Sequence, residues 1–322
     1  MTEPVGIRGV GYAFPAAHPS VRELAAQGRV ASDPGLLEGF GFQRVHAALD
    51  ETPWELACQA ARQALDEAGW TASSVELLVY GGVGGATAFV SAPSEQESWA
   101  SHRTTARFRY PGPRLQHELG LDRAQVLGVD QLACTTLFGA VRVARALCLA
   151  EGLGRALCVV ADFFPRDAGR EAVFNCTSDA AVAVLVERGT ALNRILSHVQ
   201  VTHGLYWDAD ALRSEMLSAY FPVAKDVIAK TVAGAGWRAE EVDWVLPHNV
   251  ASRSWRILSA LAGLGGARLW TENLARDGHT LAGDNFINLA DARASGRVRP
   301  GEKLLLFSFG YGAHWTGMAL EA

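Results

Sequence analysis

The chain has 322 residues, of which 49% are hydrophobic and 20% carry a formal charge, and its net charge is -5. A chain of this length and composition can bury a large core, either as one large domain or as two fused halves. The charge is mildly negative and no basic block stands out, so nucleic acid is not expected as a partner.

Five cysteines occupy positions 58, 134, 148, 158 and 176, without a CxxC pair or a His-rich partner motif. Such spacing argues against a disulfide framework and against a zinc site, and it fits a reducing cytoplasm. The N-terminal stretch MTEPVGIRGVGYAFP lacks the features of a signal peptide. No uninterrupted apolar run approaches the length that a bilayer requires. We therefore expect a cytoplasmic protein without membrane contact and without a permanently bound metal or redox cofactor.

A helix and a strand in the first half of the chain recur in its second half. Residues 63–70 read as an amphipathic helix ending in Gly-Trp, and an apolar strand follows at 77–80; the same order recurs 167 positions later, at 230–237 and 244–246. A further helix and apolar strand follow at 135–151 and 156–163 in the first half and at 281–295 and 303–309 in the second. This alternation predicts an α/β fold of parallel strands covered on both faces, with two pseudo-twofold halves at residues 1–170 and 171–322.

Between these repeats, Gly84–Arg114 is the main irregular region, with three prolines and many small polar residues. Loops of this length are usually functional or disordered, so we expect an excursion that serves as a lid or a subunit contact.

Cys134 lies where a strand-like run, Val126–Leu132, meets a long apolar helix. A thiol at such a junction meets the positive end of the helix macrodipole and the unpaired N–H groups of the first turn. Both favour the thiolate, which is the nucleophilic form. An arbitrary cysteine is more often a buried core residue, and the second half of the chain decides between the two roles.

In the second half, His248 follows an apolar strand, at the strand end where α/β folds place ligand chemistry. His279 precedes a helix that corresponds, within the pseudo-twofold, to the helix of Cys134, and we expect it at the position equivalent to the cysteine. Asp284 follows His279 by a little over one helical turn and can orient an imidazole or complement the helix N-terminus. Each histidine can also be a structural loop or capping residue.

The last apolar strand opens into the turn Gly310-Tyr311-Gly312. Backbone N–H groups of such turns can hold developing negative charge, although glycine is also the common turn residue. Phe174, Trp207 and Tyr311 are candidates for shaping an acyl or aromatic pocket.

Six segments resemble, in the same order, the β-ketoacyl-acyl-carrier-protein synthase III group of thiolase-fold condensing enzymes. They are GFQR (41–44), LQHELGL (115–121), VDQLAC (129–134), PHN (247–249), NLARDGHT (273–280) and FGYGAHW (309–315). The resemblance aligns Cys134 with the nucleophile and His248 with the catalytic histidine. It implies a five-layered α/β/α/β/α sandwich of two βαβαβ halves, normally assembled as a homodimer, and it makes Arg44 a candidate contact to coenzyme A or a carrier protein.

Two positions depart from the family pattern. The family's triad is Cys-His-Asn, and the Asn position holds His279; the middle glycine of the last turn is Tyr311. The resemblance implies that Cys134 is acylated by an acyl-CoA or acyl-carrier thioester, with backbone N–H groups of Cys134, Tyr311 and Gly312 holding the oxyanion.

Three functions follow for the second step. The favoured one is an acyltransferase of natural-product metabolism, in which His248 acts as general base on a small-molecule hydroxyl, amine or carbon nucleophile. The alternative is decarboxylative condensation with a malonyl thioester by a Cys-His-His triad, because a neutral histidine donates one N–H as an Asn amide does. A non-catalytic partner subunit is least favoured, because Cys134 and His248 are both present.

Overall fold

The fold is described from a computed structural model, in which residues 3–83 and 110–322 are described. The strands are β1 (Val5–Ala13), β2 (Leu77–Gly81), β3 (Gln125–Val129), β4 (Arg155–Asp162), β5 (Glu171–Ala172), β6 (Asn175–Cys176), β7 (Ala180–Arg188), β8 (Arg194–Thr202), β9 (Trp244–Pro247), β10 (Arg268–Leu269), β11 (Lys303–Gly310) and β12 (His314–Glu321). The helices are α1 (Val21–Ala26), α2 (Pro34–Gly39), α3 (Pro53–Ala68), α4 (Pro111–Leu119), α5 (Thr136–Ala150), α6 (Arg213–Gly234), α7 (Ser252–Leu261), α8 (Glu272–Asp277) and α9 (Asp284–Ala294).

Ten strands form one sheet in the order β10-β9-β11-β12-β8-β1-β7-β4-β2-β3. Read from the two ends, the order pairs β10 with β3, β9 with β2, β11 with β4, β12 with β7 and β8 with β1. This symmetry is the predicted pseudo-twofold. The halves join where β1 pairs with β8, at Gly6 and Arg194.

Strand pairing refines two expectations. Three strands of each half are parallel, but β7 and β12 run antiparallel to β4 and β11, so each half is mixed. A tight turn such as the one between β11 and β12 can connect only antiparallel strands. In addition, β7 pairs with β1 and β4, so the N-terminal set of strands extends to Arg188, past the expected boundary at residue 170.

The molecule has five layers. The central layer is α5 and α9, the N-terminal sheet half separates it from α3, and the C-terminal sheet half separates it from α6 and α7. Strand residues alternate between the layers, so that Leu77 and Val79 face the central helices while Leu78 faces α3. Apolar side chains on both faces explain why these strands read as continuous hydrophobic runs.

The repeat is confirmed in detail. Gly69 and Gly236 both end a helix in the left-handed region, with φ of 66° and 75°, and the tryptophans that follow them are buried in the two outer layers. A second spacing of 148 positions relates the starts of α5 and α9, Thr136 and Asp284. By this spacing the position equivalent to Cys134 is Ala282, so the expectation that His279 is the equivalent residue was wrong.

Two further expectations change. Pro111–Arg114 belong to α4, so the irregular region is shorter than expected, and residues 84–109 lie outside the described part of the chain. The stretch Ala133–Ala150 is, by length and mean hydropathy alone, apolar enough to cross a membrane. The sequence analysis had predicted that no stretch would be. Half of that stretch is buried inside the molecule, where α5 packs on β2, β4 and β7, and core helices of soluble proteins pass the same test.

Candidate active site

The candidate nucleophile sits in a tight 3₁₀ turn, Ala133–Thr135, between β3 and α5. Gln131 and Ala133 have φ of 64° and 45°, in the left-handed region that non-glycine residues seldom adopt. The backbone of β11 presses against this turn, since a Cβ on Gly310 would lie 3.0 Å from the amide nitrogen of Cys134. The sharp bend lifts the sulfur out of the helix and toward the open space beyond it.

Among the five cysteines, Cys134 is the partly exposed one, and the other four are buried. Burial raises the pKa of Cys148 to about 11 and that of Cys176 to about 12, and it also raises the pKa of Cys58 and Cys158. Burial therefore keeps these four thiols in the unreactive protonated form at neutral pH.

The residue that contacts the sulfur is His279. Its Nε2 lies 3.6 Å from Sγ of Cys134, and its Nδ1 donates to Oδ2 of Asp284 at 2.6 Å. The backbone around it is held by β6, because the amide of His279 donates to the carbonyl of Cys176 at 2.8 Å. Gly278 is needed for this approach, since a Cβ there would lie 2.9 Å from that same carbonyl.

Asp284 is fully buried at the start of α9 and accepts from several donors at once. Besides His279, these donors are the amide and hydroxyl of Thr280, at 2.6 and 2.7 Å, and the amide of Asn249, at 2.7 Å. Burial alone would raise the pKa of Asp284, but the charge and hydrogen bond of His279 outweigh it and lower the pKa. The carboxylate is therefore ionised.

The charge of His279 depends on its contact with the carboxylate of Asp284. Burial alone would lower the pKa of His279, but the Asp284 carboxylate and the contact with Cys134 raise it to about 10. His279 is accordingly an imidazolium at neutral pH, and an imidazolium beside a cysteine stabilises the thiolate.

His248 completes the group from the end of β9. Its Nε2 lies 3.4 Å from Nε2 of His279, and the two rings meet edge to face. Burial, together with the positive charge of His279, lowers the pKa of His248 to about 3, so this imidazole stays neutral. Its carbonyl accepts from Nε1 of Trp255 at 2.7 Å, and its Nδ1 has no hydrogen-bond partner within the described residues.

Two asparagines that the sequence analysis did not identify, Asn285 and Asn288, hold the end of β9 together with Asn249 of the PHN motif. The side-chain amide of Asn285 donates to the carbonyl of Leu246, and that of Asn288 donates to the carbonyl of Pro247 and to the side chain of Asn249. The available signal was a set of polar residues on the helix after Asp284 that recurs at helical spacing despite the apolar surroundings.

The structure thus brings together Cys134, His248 and His279, whose ligand-type atoms all lie within 4.8 Å of one another. Asp284 contacts His279 as the sequence suggested. The roles of the two histidines differ from expectation. The resemblance aligned His248 with the catalytic histidine, but it is His279 that contacts the sulfur.

A cavity of about 590 Å³ opens above this group. Its lining is mostly apolar and includes Phe40, Val83, Phe164, Val173, Phe174, Leu217, Tyr220, Phe221, Val250, Ile257, Leu281, Phe309 and Tyr311. Phe174 and Tyr311 therefore line the space as predicted. Trp207 lies outside the lining and is 78% exposed, so its predicted pocket role is wrong.

The remaining candidates lie at or beyond the rim. Gly312 follows Tyr311 in the turn, with φ of 80°, and is outside the lining. The side chain of Arg44 is directed to the carbonyl of His18, at 2.6 Å, and is also outside the lining. Arg253 at the start of α7 is also part of the lining, and it is exposed.

Two matched sheet halves that converge on a strained cysteine turn and a pair of buried histidines are the architecture of a thiolase-fold enzyme. Residues 232–322 match the family described as 3-oxoacyl-[acyl-carrier-protein] synthase III C terminal. The β-ketoacyl-[acyl-carrier-protein] synthase III of Rhodobacter capsulatus is 27% identical over the whole of both chains. Synthase III 2 of Streptomyces coelicolor is 31% identical, over 67% of this chain and 70% of its own. The chain belongs to the β-ketoacyl-[acyl-carrier-protein] synthase III family, and it is an acyltransferase.

Solved structures share the fold. The 3-oxoacyl-[acyl-carrier-protein] synthase III of Aquifex aeolicus is 21% identical, with a TM-score of 0.80 over 99% of this chain and 100% of its own. ChlB3, described as an acyltransferase, is also 21% identical, with a TM-score of 0.82 over 99% of this chain and 98% of its own.

Proposed function

We propose that the protein takes an acyl group from a CoA or carrier-protein thioester onto Cys134 and passes it to a hydroxyl, amine or carbon nucleophile of a small molecule. One observation supports this above all, namely the continuous line from Asp284 through His279 to the sulfur of Cys134. Carboxylate, imidazole and nucleophile in this order are the arrangement that transfers acyl groups through a covalent intermediate on several unrelated folds.

In the first half-reaction the thiolate of Cys134 attacks the thioester carbonyl. When the tetrahedral intermediate collapses, the C–S bond to the donor breaks and the donor thiolate takes the proton from Nε2 of His279. His279 is left neutral and still hydrogen-bonded through Nδ1 to Asp284. The acyl group is then a thioester of Cys134.

In the second half-reaction the neutral His279 accepts the proton of an incoming hydroxyl or amine as that group attacks the acyl-cysteine. The bond to Cys134 breaks and the thiolate and imidazolium are restored, so protons balance over one cycle. This assigns the general-base role to His279 instead of His248. His248, neutral beside it, polarises the reacting carbonyl or orients the acceptor.

For the oxyanion we propose the amide of Cys134 together with those of Tyr311 and Gly312. The other half of the molecule supports this choice. Ala282, the counterpart of Cys134, donates its amide to the carboxylate of Asp162 at 3.4 Å, and Asp162 is the counterpart of Gly310 at the same spacing of 148 positions. An amide at this point of the turn therefore contacts a carboxylate oxygen in one half, whereas in the other half Gly310 has no side chain that could accept from the amide of Cys134.

The apolar cavity suits an acyl chain, and the exposed Arg253 at its rim suits a phosphate of coenzyme A or of a carrier's phosphopantetheine. Arg44 remains a second candidate for that contact. We further propose a cytoplasmic homodimer acting in natural-product metabolism, as the sequence suggested, with no permanently bound cofactor.

Decarboxylative condensation is the second candidate, and the adjacent imidazoles of His248 and His279 are the observation in its favour. Two neutral imidazoles would hold the enolate of a malonyl thioester. Asp284 favours direct transfer over this route, because its carboxylate makes the His279 imidazole more basic and so better able to accept the proton of a hydroxyl or amine.

Labelling with acyl thioesters tests the proposal. Wild-type protein incubated with acyl-CoA is expected to gain the mass of one acyl group, and Cys134→Ala is expected to lose that increment while Cys176→Ala keeps it. Labelling that survives in Cys134→Ala would assign the nucleophile to another residue.

The acylated enzyme then separates the two routes. Ester or amide formation on added alcohols or amines, without CO₂ release from malonyl thioester, supports transfer. CO₂ release that depends on the acyl-enzyme supports condensation.

A further inference from the structure

Two of the three ligand distances in the group formed by Cys134, His248 and His279 match those of a tetrahedral metal site. With Zn–N and Zn–S bonds of about 2.0 and 2.3 Å, two nitrogens of such a site lie about 3.3–3.4 Å apart, and a nitrogen and a sulfur about 3.5–3.6 Å apart. Nε2 of His248 and Nε2 of His279 are 3.4 Å apart, and Nε2 of His279 is 3.6 Å from the sulfur. The remaining distance, from the sulfur to His248, is within 4.8 Å.

The surroundings of the ligands point the same way. Nδ1 of His279 donates to the buried carboxylate of Asp284 at 2.6 Å, which is the carboxylate–histidine arrangement that supports zinc ligands in proteins. The imidazole of His248 is buried, and its Nε2 faces Nε2 of His279. Buried, preoriented nitrogen ligands lower the cost of ordering that a metal site otherwise carries.

Access and the fourth position are also provided. The sulfur and both imidazoles line the apolar cavity, so an ion that enters it meets three ligands on one side and open space on the other. A set of one thiolate and two imidazoles suits zinc and cobalt and disfavours magnesium or calcium, which prefer oxygen ligands.

We propose that these three residues form a site for Zn²⁺, or for a similar borderline-soft divalent ion, whose occupation blocks the nucleophile. The ion is an inhibitor and not a cofactor, because it takes up the sulfur that must attack the thioester. Binding rests on the ligand geometry alone, whereas the inhibition rests on the proposed function.

Metal binding is measured first, on the full chain and without any acyl donor. ZnCl₂ is titrated against a chromophoric chelator, and CoCl₂ is added to metal-free protein to record its absorption. We expect one ion per chain and a thiolate-to-cobalt charge-transfer band. Cys134→Ser should remove that band and weaken zinc binding at least ~10-fold, and Asp284→Asn should weaken it on the order of 10- to 100-fold.

Two controls keep the result interpretable. His314→Gln changes a histidine outside the cavity lining and should bind zinc like wild type. Wild-type protein alkylated at Cys134 with iodoacetamide tests the same ligand without a substitution, and it should lose the site. Unchanged zinc affinity in Cys134→Ser or in alkylated protein, or a cobalt complex without the thiolate band, would overturn the proposal.

Inhibition is measured separately, as acyl labelling of Cys134 with and without zinc. Labelling that zinc suppresses and a chelator restores supports the inhibitory role. Labelling that proceeds at full rate with the site occupied overturns that role and leaves the proposed function standing. Zinc bound by a protein that no acyl thioester labels would instead contradict the proposed function and leave the site standing.

Discussion

His279 stands where the family pattern has Asn. It joins the sulfur of Cys134 to the buried carboxylate of Asp284, and the carboxylate keeps it charged despite burial. An Asn amide can donate one hydrogen bond at this place but cannot accept and return a proton. The residue type therefore changes what the site can do in its second step.

The first prediction concerns this residue. His279→Gln keeps a hydrogen-bond donor but removes the positive charge beside the sulfur, so the thiolate loses its partner. We expect the rate of Cys134 alkylation by iodoacetamide at neutral pH to fall on the order of 10-fold or more, measured by intact-protein mass. His314→Gln serves as the matched control, and an equal alkylation rate in His279→Gln and wild type would contradict the assignment.

At the scale of single residues, the sequence predicted which residues form the site but not which histidine contacts the sulfur. Cys134, His248, His279 and Asp284 were all named from local patterns. Which imidazole touches the sulfur depends on how three separate segments meet in space, and no local pattern encodes that. The same limit explains the misplacement of Trp207, an aromatic residue whose type suggested a pocket but whose position on the surface is set by the packing around it.

Among the elements, the turn that carries Cys134 and the last turn of β11 act as one unit. A Cβ on Gly310 would lie 2.7 Å from the carbonyl oxygen of Leu132 and 3.0 Å from the amide nitrogen of Cys134. Contacts this short with backbone atoms force one element to move. A glycine is thus required at position 310 because the turn that carries Cys134 packs against it, and not only because Gly310 itself lies in a turn.

The second prediction follows from this contact. Gly310→Ala should displace the nucleophile turn, and a displacement of about 1 Å lowers a reaction rate on the order of 100-fold. We expect acylation of Cys134 to fall by about that factor, with Gly39→Ala as the control because open space surrounds Gly39. Full acylation activity in Gly310→Ala would show that the turn tolerates the added methyl group.

Elements were predicted better where the chain repeats than where it does not. The helix–strand units that recur at a spacing of 167 positions were all located, because periodicity and the Gly-Trp signal agree in both halves. The irregular region was drawn too long, since the Pro residues at its end open α4 instead of extending the loop. The antiparallel strands were missed because a buried antiparallel strand has the same apolar run as a parallel one.

On the scale of the whole molecule, the helices of the central layer face both sheet halves, and polar groups enclosed between layers respond to pH. His198 on β8 contacts Oγ1 of Thr316 at 3.1 Å and has Arg142 and Arg145 of α5 nearby. Burial, with these two positive charges, lowers the pKa of His198 to about 4. The folded protein therefore resists protonation at a pH where the unfolded chain accepts a proton.

The third prediction is a loss of stability in acid. Because the pKa of His198 is lower in the folded than in the unfolded state, its contribution is complete above pH 6.5 and declines as the pH falls toward 4. The decline amounts to about 3 kcal/mol of unfolding free energy over that range. Urea unfolding of wild type and His198→Gln at pH 7, 5.5 and 4.5 measures it, and the variant should lose less stability than wild type. Identical pH dependence in the two proteins would contradict the prediction.

Each of the two matching halves contains a 3₁₀ turn at the start of its central helix. These turns are Ala133–Thr135 and Leu281–Gly283. In the second turn the amide of Ala282 is already occupied by Asp162, a carboxyl whose pKa burial raises to about 6. Asp162 thus accepts from the amide of Ala282 in the way that we propose an oxyanion accepts from the amide of Cys134. Asp162→Gly would leave the amide of Ala282 without this acceptor, so the second turn is a starting point for designing a new catalytic centre.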